Sequence, residues 1–141
     1  MLETLKNSHP QAEIWWDSLP TSFEGWQRSV GSEVPALSFF AGATSNPRLV
    51  FEAIRSERER WMKPLKALGK VALGDERQLY WQLYQEIFRE NAAVLRPRWE
   101  ESEGRHGWVC AQVLPDSCFD ADEMTQQGVA LAALGPNLMV K

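Results

Sequence analysis

Five polar residues of this 141-residue chain stand at or inside short apolar runs. Asp17 ends Ala12-Glu13-Ile14-Trp15-Trp16, Thr44 and Asn46 follow Ala36–Ala41, Gln112 lies in Trp108–Leu114, and Lys141 lies in Asn137–Lys141. An amine in an apolar strand such as Leu138-Met139-Val140-Lys141 is costly to bury charged, so burial favours the neutral nucleophile. Neutral lysine attacks carbonyls to form a Schiff base, which then acts as an electron sink for carbon–carbon cleavage. Such chemistry also needs a carboxylate to move a proton at a substrate hydroxyl, and Asp17 is of that type. It needs amides and hydroxyls to orient a polyol and the water released with the imine; Thr44, Asn46 and Gln112 qualify. Each residue taken singly has a plain structural explanation. Asp17 before Ser18-Leu19-Pro20 suits a turn, Asn46 a helix cap, Gln112 a satisfied core amide and Lys141 a solvated tail. Only the set is specific.

Residues of these types converge when repeated βα units bring the carboxyl ends of parallel strands to one side of a sheet. The sequence has the required alternation, with no internal repeat. Strands are expected over 12–16, 36–41, 108–114 and 137–141. A short helix is expected over Phe23–Val30. Asn46-Pro47 opens another as cap and first position, with Leu49, Val50, Ala53 and Ile54 at helical spacing, running to about Met62 before Pro64. Asp75 with Gln78 begins the strongest helix, whose apolar face is Leu79, Tyr80, Leu83, Tyr84, Ile87, Phe88 and Leu95, ending at Pro97. Asp120 with Glu123 begins a last helix that stops at Gly135-Pro136. The reading is one α/β domain over 1–141.

Composition narrows the partners. Fifteen basic and nineteen acidic side chains give a net charge of −4 with no Lys/Arg block, which argues against nucleic acid or an anionic membrane. Hydrophobic residues at 44% and charged ones at 24% are ordinary globular values and exclude disorder. The amino terminus lacks the apolar stretch of a signal peptide, and the apolar region 128–140, interrupted by Pro136 and Asn137, is too short to span a bilayer. Only two cysteines, Cys110 and Cys118, fit a reducing compartment. A soluble, cytoplasmic protein is expected.

In chain order the same segments resemble the transaldolase family. Ile14-Trp15-Trp16-Asp17 looks like its first strand ending in the catalytic aspartate, and Gly42-Ala43-Thr44-Ser45-Asn46-Pro47 is similar to its Gly-Val-Thr-Ser-Asn-Pro signature. Leu95-Arg96-Pro97 and Gly107–Val113 resemble the approach to its third strand, and Pro136–Lys141 the strand with its Schiff-base lysine. The resemblance runs from about residue 11 to the end. It implies a (β/α)8 TIM barrel of which this chain covers roughly the first four βα units; either a second half barrel completes it, or two copies pair, or the sequence is a fragment ending at Lys141. It implies a cofactor-free and metal-free enzyme of the pentose phosphate pathway that transfers a dihydroxyacetone unit between sugar phosphates. Lys141 would form the imine, Asp17 would be the acid/base group, Asn46 would bind substrate hydroxyls and Thr44 would shape the site.

Gln112 stands where most transaldolases have a glutamate. An amide can hold the catalytic water but cannot exchange protons with it. The fructose-6-phosphate aldolase branch of the superfamily has glutamine in a similar Ala-Gln-Val context, so aldolase chemistry is an alternative outcome. His106 and Cys110 replace the usual Asp and Ser, and neither is given chemistry. The family's phosphate-binding arginine belongs to its second half, so no phosphate site is assigned. Two further alternatives stand: a non-catalytic half barrel that assembles with or regulates a partner, and an unrelated small α/β binding domain.

Overall fold

Four short parallel strands in sequential order form the sheet of this protein, described by a computed structural model over residues 2–30, 36–72 and 75–141. The strands are β1 (Trp15–Asp17), β2 (Gly42–Thr44), β3 (Trp108–Ala111) and β4 (Leu138–Val140). Their register aligns Asp17 with Thr44, Thr44 with Cys110, and Cys110 with Met139. Helices α1 (Leu2–Ser8), α2 (Phe23–Val30), α3 (Pro47–Ser56), α4 (Arg58–Ala72), α5 (Glu76–Glu101) and α6 (Ala121–Ala132) precede or connect them. Parallel strands alternating with helices make this a partial TIM barrel.

Helix starts follow local chemistry. Asn46, Asp75 and Asp120 each accept, through the side chain, the N–H three residues on, at 3.0, 2.9 and 2.9 Å. These are three of the otherwise unpartnered donors of a first turn. The long helix α5 supplies the core: Leu83, Tyr84, Ile87, Phe88, Ala92 and Leu95 are buried against Ala43, Val109, Ala111 and Leu138 of the strands. Asn91, also on that face, is fully buried because its amide is used twice. Its Oδ1 accepts Thr21 N–H at 2.8 Å and its Nδ2 donates to the Ile87 carbonyl at 2.7 Å, tying the turn after β1 to α5.

Several sequence-based boundaries are corrected. The apolar run 36–41 is not the second strand: Leu37–Phe39 forms a 3-10 turn, and the strand is Gly42–Thr44, read as turn. Phe40 is buried among the rings of Trp16, Phe23 and Phe39, so the run records burial without a ladder. The strand needs glycine at position 42, because a Cβ there would come within 2.6 Å of both the Trp15 ring and the Trp108 carbonyl. The helix expected to run from Pro47 to Met62 breaks at Glu57 instead. Pro64 then lies inside α4, which is retained because Trp61, Leu65 and Leu68 pack on the core. Pro97 likewise does not end α5, which continues to Glu101; both Pro97 and Ala93, whose carbonyl loses its N–H partner, are exposed to water. Gly107 follows with φ of +84°, and a Cβ there would lie 2.5 Å from the Trp99 nitrogen, so only glycine lets the chain turn this close to α5. The third strand stops at Ala111 and the fourth at Val140, leaving Gln112 and Lys141 just beyond them. Helix α1 has no counterpart in the sequence reading.

Candidate active site at the carboxyl ends of the strands

Side chains at matched positions of neighbouring parallel strands share a face, and the next residue turns to the other. One face of this sheet carries Trp16, Ala43, Val109, Ala111, Leu138 and Val140, all part of the core under the helices or packed against it. The other carries Asp17, Thr44, Cys110 and Met139 on one level. Cys110 Sγ lies 3.8 Å from Met139 Sδ, as the register requires.

Lys141 continues β4 through its N–H, which donates to the Ala111 carbonyl at 2.9 Å. Its side chain runs back over β3, and Nζ donates to Thr44 Oγ1 on β2 at 2.8 Å. With strands about 4.8 Å apart, that reach carries the amine across two strand spacings toward Asp17, whose strand is the next one. Burial raises the Cys110 thiol above its ordinary range, and the nearby Lys141 charge partly offsets this. The expected burial of Lys141 is not what the structure has: the residue is exposed, because no element of the described residues covers this face. Asp17 is exposed as well.

Around these residues the loop after β2 is tightly specified. Ser45 is buried with its hydroxyl donating to the Cys110 carbonyl at 3.2 Å, which fastens the loop to β3. Asn46 caps α3 through Oδ1, as its plain structural explanation expects; this leaves its Nδ2 amide for other partners. Gln112 follows Ala111 as Lys141 follows Val140, and these two are paired, so 112 and 141 stand side by side at the mouth. The Gln112 carbonyl accepts the Tyr84 hydroxyl at 2.8 Å.

The structure thus brings Thr44 and Lys141 into contact, sets Gln112 and Cys110 beside them, and sets Asp17 level with Thr44. Asn46 stands two residues beyond Thr44, at the helix start. Sequence reading missed Ser45, although it sits inside the singled-out Gly42–Pro47 motif. It also counted Tyr84 only as core, since a ring at helical spacing does not announce where its hydroxyl goes. A cavity of about 510 Å³ lies elsewhere, between α5 and α6, lined by Arg77, Trp81, Leu114, Glu123 and Gln127 among others. It does not include the strand-end residues. Among the described residues no group of three or more His, Cys, Asp or Glu side chains is placed to hold a metal ion, and no helix is long and apolar enough to cross a membrane.

A parallel βα sheet with an amine, a carboxylate, a hydroxyl and amides collected at its strand ends is a TIM-barrel type of scaffold, a fold whose sites are built at that end of the strands. Residues 28–141 match the model of the transaldolase/fructose-6-phosphate aldolase family, and the chain belongs to that family. The match begins after β1, so Asp17 and its strand precede it. No curated protein matches the chain.

Proposed function

We propose that this chain furnishes the first half of a Schiff-base active site that cleaves or transfers the dihydroxyacetone unit of a sugar phosphate. The observation that carries the reading is the reach of Lys141 across β3 to Thr44, on the sheet face opposite the core, in a chain of this family. Uncharged Nζ of Lys141 attacks the C2 carbonyl of a ketose phosphate; the carbinolamine loses water, held by the Gln112 amide, and becomes the imine. Asp17 takes the proton of the C4 hydroxyl. The C3–C4 bond then breaks, its electrons pass into the imine to leave an enamine on Lys141, and an aldose phosphate departs. Addition of the enamine to a second aldehyde is the transferase outcome. Its protonation followed by hydrolysis is the aldolase outcome; Gln112, whose amide holds the water without exchanging protons with it, stands here as in the aldolase branch that the Ala-Gln-Val context resembles. Thr44 Oγ1 and Asn46 Nδ2 hydrogen-bond the substrate's hydroxyls.

A closed barrel takes eight strands. In this reading residues 1–141 are one domain that supplies four, and further polypeptide or a second half barrel supplies the rest. Covering the open face would take Lys141 out of water and so favour the neutral amine the first step requires. The steps draw on no metal or organic cofactor, and a role in cytoplasmic carbohydrate metabolism, in the pentose phosphate pathway, follows from the substrates. Borohydride reduction in the presence of fructose 6-phosphate, read by mass spectrometry, should leave a covalent adduct on Lys141 that Lys141→Ala abolishes. No adduct at Lys141 with the barrel completed would overturn the reading.

A second reading, a non-catalytic half barrel that assembles with a partner, is favoured by the exposure of Lys141 and of Met139 on the same face. A stable oligomer without imine chemistry would select it.

A further inference from the structure

The three residues that leave β3 are held at both ends by helices that take no part in the proposed chemistry. From α5, the Tyr84 hydroxyl donates to the Gln112 carbonyl at 2.8 Å; from α6, Gln127 Oε1 accepts the Leu114 N–H at 2.8 Å. Ser117 Oγ donates to the Leu114 carbonyl at 2.7 Å, closing the turn that follows. Tyr84 and Gln127 are both buried, Tyr84 completely. Gln127 is in turn fixed by donating Nε2 to Glu123 Oε1 at 3.1 Å, and Glu123 pairs with Arg77 of α5, which also binds Asp116 at 2.6 Å. A chain of contacts therefore runs from the outer surface, through both helices, to the backbone that carries Gln112.

Core packing does not require this arrangement. The Tyr84 ring already packs against Tyr80, Trp81 and Phe88, and phenylalanine would fill the same space without a polar atom to satisfy. A buried hydroxyl with a partner on a strand-end carbonyl fixes the direction in which the next peptide leaves the sheet.

We propose that Tyr84 and Gln127 are positioning residues for Gln112, holding segment 112–114 so that the Gln112 amide is presented toward Lys141 when the imine water is released. This rests on the Schiff-base reading of the site. Burial raises the Tyr84 phenol above its usual range, so it remains a protonated donor across the working range of pH. A carbonyl can only accept, so the direction of this hydrogen bond is unambiguous.

The test is a cycle of variants in the protein that forms the Lys141 adduct, measuring the rate of borohydride-trapped adduct formation with fructose 6-phosphate. Tyr84→Phe should slow it about tenfold, the loss one unmade hydrogen bond produces. Gln112→Ala should slow it at least as much, and the double variant no further, because the phenol then has no amide left to position. Slowing that adds in full in the double variant, or a Tyr84→Phe rate equal to the parent's, overturns the proposal. Amide exchange read by mass spectrometry or NMR gives an arm independent of turnover. In Tyr84→Phe and in Gln127→Met, exchange should quicken at Val113 and Leu114 and stay unchanged in β1 and β2. Quickening throughout the sheet would mean a purely structural role and overturn the proposal. A parent that forms no adduct at Lys141 overturns the site reading and the positioning role with it; a reactive parent matched by Tyr84→Phe overturns the positioning role alone.

Discussion

The two faces of one small sheet differ in everything but their backbone. Ala43, Val109, Ala111 and Leu138 look toward α5 and are shielded from water, whereas Asp17, Thr44, Met139 and Lys141, on the other side, are partly or fully solvated. A strand changes face at every residue, so the thirteen strand positions alternate between packing under the helices and facing the side of the sheet that bears the amine. The lesson is that the two can be altered separately: the first through the helices, the second through the mouth of the strands.

Breaking the packed face should have the largest effect. Phe88→Ala removes a fully buried ring from the centre of α5 and should cost about 3–5 kcal/mol in denaturant unfolding; a loss below about 1 kcal/mol would mean that the core is not where the structure has it. The cysteines sharpen the contrast at an intermediate scale. Cys110 is buried with its thiol raised, while Cys118 is exposed, so iodoacetamide near neutral pH should modify Cys118 at least about tenfold faster by peptide mapping. Equal rates would show that the level of Thr44 and Cys110 is freely wetted. The smallest stability effect belongs to the residue with the largest proposed chemical one. Lys141→Met should change unfolding free energy by less than about 0.5 kcal/mol, since one solvated hydrogen bond to Thr44 is lost. A much larger loss would make Lys141 a structural residue and erase the contrast between the faces.

What the sequence discloses of this fold is what short-range chemistry controls. The caps at Asn46, Asp75 and Asp120 each act over three residues, and all three are where the pattern puts them. Helix α2 spans Phe23–Val30 as read. The strands are legible as to order and number but not in their limits, since three or four residues of ladder depend on partners far along the chain. The apolar run before Gly42 misleads because burial among aromatic rings and burial within a sheet leave the same composition. Proline is read as a stop, yet at 64 and 97 packing and solvent access let the helix continue. Of the site, the residue types and strand ends are legible. The contact between Lys141 and Thr44 joins positions 97 apart, and no local pattern encodes it. Nor does any pattern show that Lys141 is exposed, because the number of covering strands is not written beside it.

Gly42 has a consequence for traffic. Its missing side chain lets the Trp15 indole lie across the neighbouring strand, two residues short of the Asp17 and Thr44 level, on the face that bears the amine. A bulky ring at that depth fills the space on the amino side of this level. If the proposed cleavage takes place above that ring, the departing aldose and the arriving acceptor use the same space over the lysine in turn, the covalent fragment waiting on the amine between the two visits.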